Sequence, residues 1–175
     1  ISRIPVPVEI NASAHADDDF SKFGSIAELT NWNIYSPVWA PVSLEGAWLK
    51  LQDKDPFDYA KVERKIPASK ELKVSFDLLA EQNDKGRLQI DFLDGNSIAC
   101  SRLELTPDGI FRMKGGSRFA NMMNYEAGKT YHVEAVLSTA DRNIQVYVDG
   151  KRVGLRMFYA PVATIERIAF RTGEM

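Results

Sequence analysis

Three polar pairs set at alternate positions are the residues of this sequence best placed to do chemistry: Gln89-x-Asp91, His132-x-Glu134 and Gln145-x-Tyr147. Alternate residues of a strand share a face. Three neighbouring strands bearing these pairs would therefore assemble one hydrogen-bonding patch suited to a hydroxyl-rich ligand. Arg102, Arg112 and Arg171 fall on the same alternation and Arg118 stands nearby; guanidinium forks pair with carboxylate or sulfate groups. Trp39 and Trp48 lie in a stretch rich in Trp, Tyr and Pro. Their rings can stack on the apolar face of a sugar, or fill a core as aromatics commonly do. Polar alternation also arises on any solvated sheet face, so the expectation attaches to the set and not to a single member.

Turnover chemistry has less to stand on. His132 and Tyr147 could act as base and acid, but the chain holds only two histidines, His15 and His132, and no G-x-S-x-G. Gly115-Gly116-Ser117 lacks the strand-to-helix context that a phosphate cradle needs. Cys100 sits in the strand-like run SIACSRLEL with no base beside it and reads as a small buried hydrophobe. Asp17, Asp18 and Asp19 repel one another unless a cation joins them. They are a candidate calcium site of oxygen ligands, without the spacing of an EF-hand loop. The alternative is a charged loop entering a helical turn over 21–29.

The elements that must position these residues are short strands. Tyr131, Val133, Ala135 and Leu137 alternate with polar neighbours, and so do Ile144, Val146 and Val148. Residues 139–143 form a polar connector, and Asp149-Gly150 suits a tight hairpin turn. This predicts a three-stranded meander with one apolar and one wet face. Further strands are expected over 47–51, 59–66 (closed by Pro67), 72–80, 88–92, 97–105, 109–114 and 164–172, with Asp-Gly turns at 94–95 and 108–109. About ten short strands and one short helix candidate predict an all-β antiparallel β-sandwich. Residues 1–16, with Pro5 and Pro7, read as a linker or edge segment, and 17–175 as one domain. Residues 115–128 read as a long loop, and Phe158 to Val162 as an exposed apolar patch for a neighbouring domain.

Composition sets limits. A length of 175 residues suits one domain, and a hydrophobic fraction of 45% with 26% charged residues is ordinary for a globular chain. A net charge of -2 gives no reason to expect a nucleic-acid partner. No run approaches the eighteen apolar residues of a membrane span. The chain opens at Ile1 without a signal segment, which reads as a processed product or a piece of something longer.

The stretch from Tyr125 to Gly154, with its pattern aGktYhveavls…niqvYvDGkrV, resembles the concanavalin A-like lectin/glucanase superfamily, in its laminin G-like branch. The resemblance implies a jelly-roll sandwich and a carbohydrate-associated role in a secreted, periplasmic or cell-surface protein. Within that superfamily, jelly-roll glucanases carry E-x-D-x-E on one strand; Glu63, Asp77 and Glu81 lack that spacing. Jelly-roll alginate lyases use Q-x-H, from which Gln89-Ile90-Asp91 departs at the histidine. The expected function is a glycan-binding or accessory module beside a catalytic domain. A small hydrolase or lyase, and a purely structural domain, are the alternatives.

Overall fold

The computed structural model describes residues 16–173. Thirteen strands are present among them. They are β1 (Trp32–Tyr35), β2 (Val42–Glu45), β3 (Trp48–Leu51), β4 (Lys61–Ser69), β5 (Glu71–Leu79), β6 (Leu88–Leu93) and β7 (Ala99–Leu105). There follow β8 (Ile110–Gly115), β9 (Arg118–Asn124), β10 (Thr130–Ser138), β11 (Asn143–Val148), β12 (Lys151–Met157) and β13 (Ile165–Thr172). Seven form one sheet in the order β1-β4-β13-β6-β7-β8-β9, four form a second in the order β12-β11-β10-β5, and β2 and β3 make a separate hairpin. The pairings are antiparallel throughout. The all-β sandwich expected from the alternation is the fold observed.

The core lies between the two sheets. Ile90, Phe92, Leu103 and Met113 come from the larger sheet, and Val133, Ala135, Leu137, Ile144 and Val146 from the smaller. These are the inward halves of the alternating runs, each side chain larger than Ala135 contributing about 1.5–3 kcal/mol by burial. The four-stranded sheet is too narrow to cover β1 and β4. The β2–β3 hairpin covers that end through a second cluster of Ala40, Val42, Ala60 and Val62, against which Trp32, Ile34 and Phe170 pack. At the opposite edge β12 lies directly over β8 and β9.

The expected meander is present, with Val133 opposite Val148 and Val146 opposite Gly154. Asp149 (φ 49°) and Gly150 (φ 79°) supply the left-handed pair of its turn. Four local readings change. The helical turn over 21–29 is two separate 3-10 turns, Phe20–Lys22 and Ile26–Glu28. Pro67 does not close a strand but sits within β4, where the pairing with β13 shifts register; a bulge accepts a residue without an N–H. The stretch 115–128 is not a loop excursion, because β8 and β9 pair as a hairpin with Gly116 (φ 58°) at its turn. Met122 and Met123 pack from it onto the core. Phe158 and Val162 also pack on the core, so the segment between β12 and β13 is half-buried and not an exposed patch. The expected linker over 1–16 lies, but for residue 16, outside the described residues.

Candidate functional site

The strand order separates the three polar pairs. Gln89 and Asp91 stand on β6 of the seven-stranded sheet, while His132, Glu134, Gln145 and Tyr147 stand on β10 and β11 of the other. The expected single patch therefore does not exist. The two groups lie on opposite outer faces of the sandwich. The reason is topological: β13, the last strand in the sequence, inserts between β4 and β6. The meander pairs instead with β5.

On the four-stranded sheet the outward residues are engaged with one another. His132 Nδ1 lies 2.8 Å from Asp77 Oδ1, Glu134 pairs with Lys73 at 2.8 Å, and the Tyr147 hydroxyl donates to Gln145 Oε1 at 3.1 Å. His132 and Tyr147 are thus each held by a different neighbour, on a face of short local contacts.

The outward face of the seven-stranded sheet is organised differently. Two rows of cross-strand partners cross all seven strands. One runs Tyr35, Lys61, Arg171, Gln89, Glu104, Arg112, Asn121. The second runs Asn33, Glu63, Ala169, Asp91, Arg102, Lys114, Phe119. Six inter-strand spacings make each row about 29 Å long.

Carboxylates lie low in these rows and cations stand over them. Glu104 is only 1% exposed, and its Oε1 accepts from Arg112 Nε at 2.8 Å with Arg87 Nε 3.5 Å away. Asp91 receives a bidentate fork from Arg102 at 2.7 and 2.9 Å. Glu63 is gripped by Lys61 at 2.9 Å and Arg167 at 3.0 Å. Burial alone would raise the Glu63 carboxyl, but Lys61 and Arg167 outweigh it and hold it below the usual range. Arg171 and Lys114 differ: among the described residues no ion pair engages either. Arg171 lies over the Tyr59 ring at 4.0 Å and Lys114 over the Tyr159 ring at 4.5 Å. Burial, with Asp91 nearby, pushes the Tyr159 hydroxyl up to about 12. Lys61, Lys65, Arg87, Arg102, Arg112, Lys114, Arg167 and Arg171 thus outnumber Glu63, Asp91 and Glu104 on this face, with Asp58 at its Tyr35 end, on a chain of net charge -2.

Aromatic rings flank both ends. Tyr35 and Tyr59 pack at 5.0 Å, with the Tyr35 hydroxyl donating to Asp58, and Arg112 lies over Phe119 at 4.2 Å. Gln89 is 2% exposed; among the described residues its amide nitrogen makes only a long 3.5 Å contact to Glu104, and its Oε1 has no hydrogen-bond partner. Arg171 Nε, on the cross-strand neighbour, also lacks one.

The remaining sequence candidates are scattered. Trp39 is 64% exposed on the loop before β2, where its carbonyl accepts from Lys54, and Trp48 is 37% exposed at the start of β3. Trp32 packs inward between Phe20 and Phe170. Arg118 is exposed at the start of β9. Asp18 is bound by Arg64 at 2.7 Å, and Asp19 caps the first 3-10 turn and pairs with Lys22, so both turn to protein cations. No group of three potential metal ligands occurs among the described residues. Cys100 is fully buried and its thiol is pushed up to about 12, chiefly by burial.

Sequence reasoning missed Tyr35, Tyr59, Lys61, Glu104, Lys114 and Phe119. Lys-x-Glu in β4, Arg-x-Glu in β7 and Arg-x-Lys in β8 carried the same alternation signal. Nothing in the sequence said that β4, β7 and β8 shared a sheet with β6.

Residues 32–175 match the family described as sialidase-like, CBM domain. The chain belongs to this family of carbohydrate-binding modules. A solved structure titled sialidase is 95% identical, with a TM-score of 0.93; it covers 99% of the module, which spans only 16% of that chain. Distant structures share the fold alone. A Crh5 transglycosylase matches 89% of the module and 67% of its own chain at 10% identity and a TM-score of 0.70. A Bacillus licheniformis β-glucanase matches 83% of the module and 80% of its own chain at 10% identity and a TM-score of 0.58. The concanavalin A-like fold expected from the meander is therefore the one the module has. No curated protein matches it. Among the described residues no helix is long and apolar enough to cross a membrane.

Proposed function

We propose that this chain is a non-catalytic glycan-binding module of a longer, secreted or surface-exposed sialidase-like protein, and that it binds sugar on the outward face of its seven-stranded sheet. The double row of cross-strand partners carries this reading. It supplies hydrogen-bonding groups along a line of about 29 Å, with aromatic rings at both ends for stacking. The opposite face is closed into local pairs, and its His132 and Tyr147 do not face one another as a base and acid would. A catalytic domain elsewhere in the longer chain would act on glycans that this module holds.

The test is a glycan array followed by calorimetry on the isolated chain, with a hydrolase and lyase assay on the same sugars. Binding without turnover is expected, and it should persist in a chelator because Asp18 and Asp19 already have protein partners. Failure to bind any glycan at millimolar concentration would sink the reading. Turnover abolished by His132→Ala would replace it with the enzymatic one.

A further inference from the structure

We infer that the sugar this face takes is anionic, with a carboxylate or sulfate engaged by Arg171 and Lys114. This rests on the glycan-binding reading and adds the ligand's charge and two anchoring residues. The excess of cations over carboxylates on this face runs against the net charge of the chain. Folding does not require that excess. Arg102, Arg112, Arg167 and Lys61 are satisfied by Asp91, which is partly buried, and by the buried Glu104 and Glu63. Arg171 and Lys114 are not so matched: each has only an aromatic ring beneath it. A guanidinium resting on a tyrosine face keeps its hydrogen-bonding edge available to an anion.

The centre of the first row supplies a second, independent observation. Gln89 is almost fully buried among charged neighbours, yet among the described residues its Oε1 has no donor, and Arg171 Nε beside it has no acceptor. Buried polar groups left unmatched in this way are uncommon and ask for an explanation. An acidic sugar provides one. Its anionic group draws the Arg171 fork towards the ligand, and a neighbouring hydroxyl donates to Gln89 Oε1 once that fork has shifted. Arg171 and Lys114 lie on β13 and β8, three strand spacings across and two residues along the sheet, or about 16 Å apart. That separation favours an oligosaccharide with more than one acidic group over a single acidic sugar.

Calorimetry with three pairs of probes decides it: sialyllactose against lactose, a galacturonate oligomer against a neutral galactose oligomer, and a sulfated against an unsulfated galactan oligomer. The member of a pair that bears the recognised acid should bind, its neutral partner should bind at least roughly tenfold more weakly, and affinity should fall with added salt. Arg171→Gln and Lys114→Gln should each lose roughly tenfold on that probe. Arg171→Lys should recover part of the loss, and Lys73→Gln on the opposite sheet should lose nothing; thermal melts confirm that each variant folds. Equal, salt-insensitive binding of neutral partners would overturn the anionic assignment and leave the glycan-binding reading intact. Anion binding unaffected by both variants would overturn the anchors, and no binding to any probe would instead remove the reading on which this inference rests.

Discussion

Arg112 closes over Glu104: the guanidinium on β8 donates to a carboxylate on β7 that is 1% exposed, although both residues point away from the core. A buried carboxylate is costly unless cations pair with it. Glu104→Ala would leave Arg112 and Arg87 facing each other over an empty site. It should cost roughly 3–5 kcal/mol, the usual effect of breaking a buried ion pair. Glu104→Gln keeps the shape and an acceptor and should cost less. Denaturant melts of the two variants beside the parent measure the difference; equal midpoints for all three would show the pair to be energetically idle.

Glu63 makes stability depend on acid. Its folded carboxyl is held below 4.5 by Lys61 and Arg167 against the opposing effect of burial. A group depressed on folding contributes its full stabilisation above the unfolded value and loses it as pH falls through the folded one. The urea midpoint should therefore decline below about pH 4.5. Glu63→Gln should lower the midpoint at pH 7 and flatten that decline. An unchanged slope in the variant would assign the acid sensitivity to other carboxylates.

The fold was legible because period-two alternation is a local property. Val133, Ala135 and Leu137 announce a half-buried strand whatever pairs with it, and Asp149-Gly150 announces its turn. The face that gathers the cations was not legible, because sheet membership is not local. Gln89 and His132 carry the same alternation signal and end on opposite sides of the sandwich. The β9 strand was hidden for a related reason: RFANMMN has no clean alternation, being an edge strand with a register shift against β8. Glu104 carries the outward alternation of β7, and the cross-strand arginines explain its burial.

Cys100 should be chemically silent in the folded chain. Its thiol is fully buried and pushed up to about 12, so almost no thiolate is present at pH 8. Alkylation with iodoacetamide should be undetectable in buffer and complete in urea. Native labelling at the rate of a free thiol would mean that the β7 region opens far more often than a packed core strand does.

The β8–β12 contact yields a contrast between two glycines. A Cβ on Gly154 would meet Met113 Cε and Met122 Sδ at 2.8 Å, the mobile ends of flexible side chains. A Cβ on Gly115 would meet Arg156 Cβ at 2.7 Å, an atom fixed to the β12 backbone. The first clash is relieved by rotating thioethers, whereas the second must move a strand. Gly154→Ala should therefore cost less than about 1 kcal/mol and Gly115→Ala about 1–3 kcal/mol, as overpacking generally does. Thermal melts of the two single variants make the comparison. If Gly154→Ala were the more damaging, the methionines would have to be locked, and the close approach of β12 would be set at Gly154 instead of Gly115.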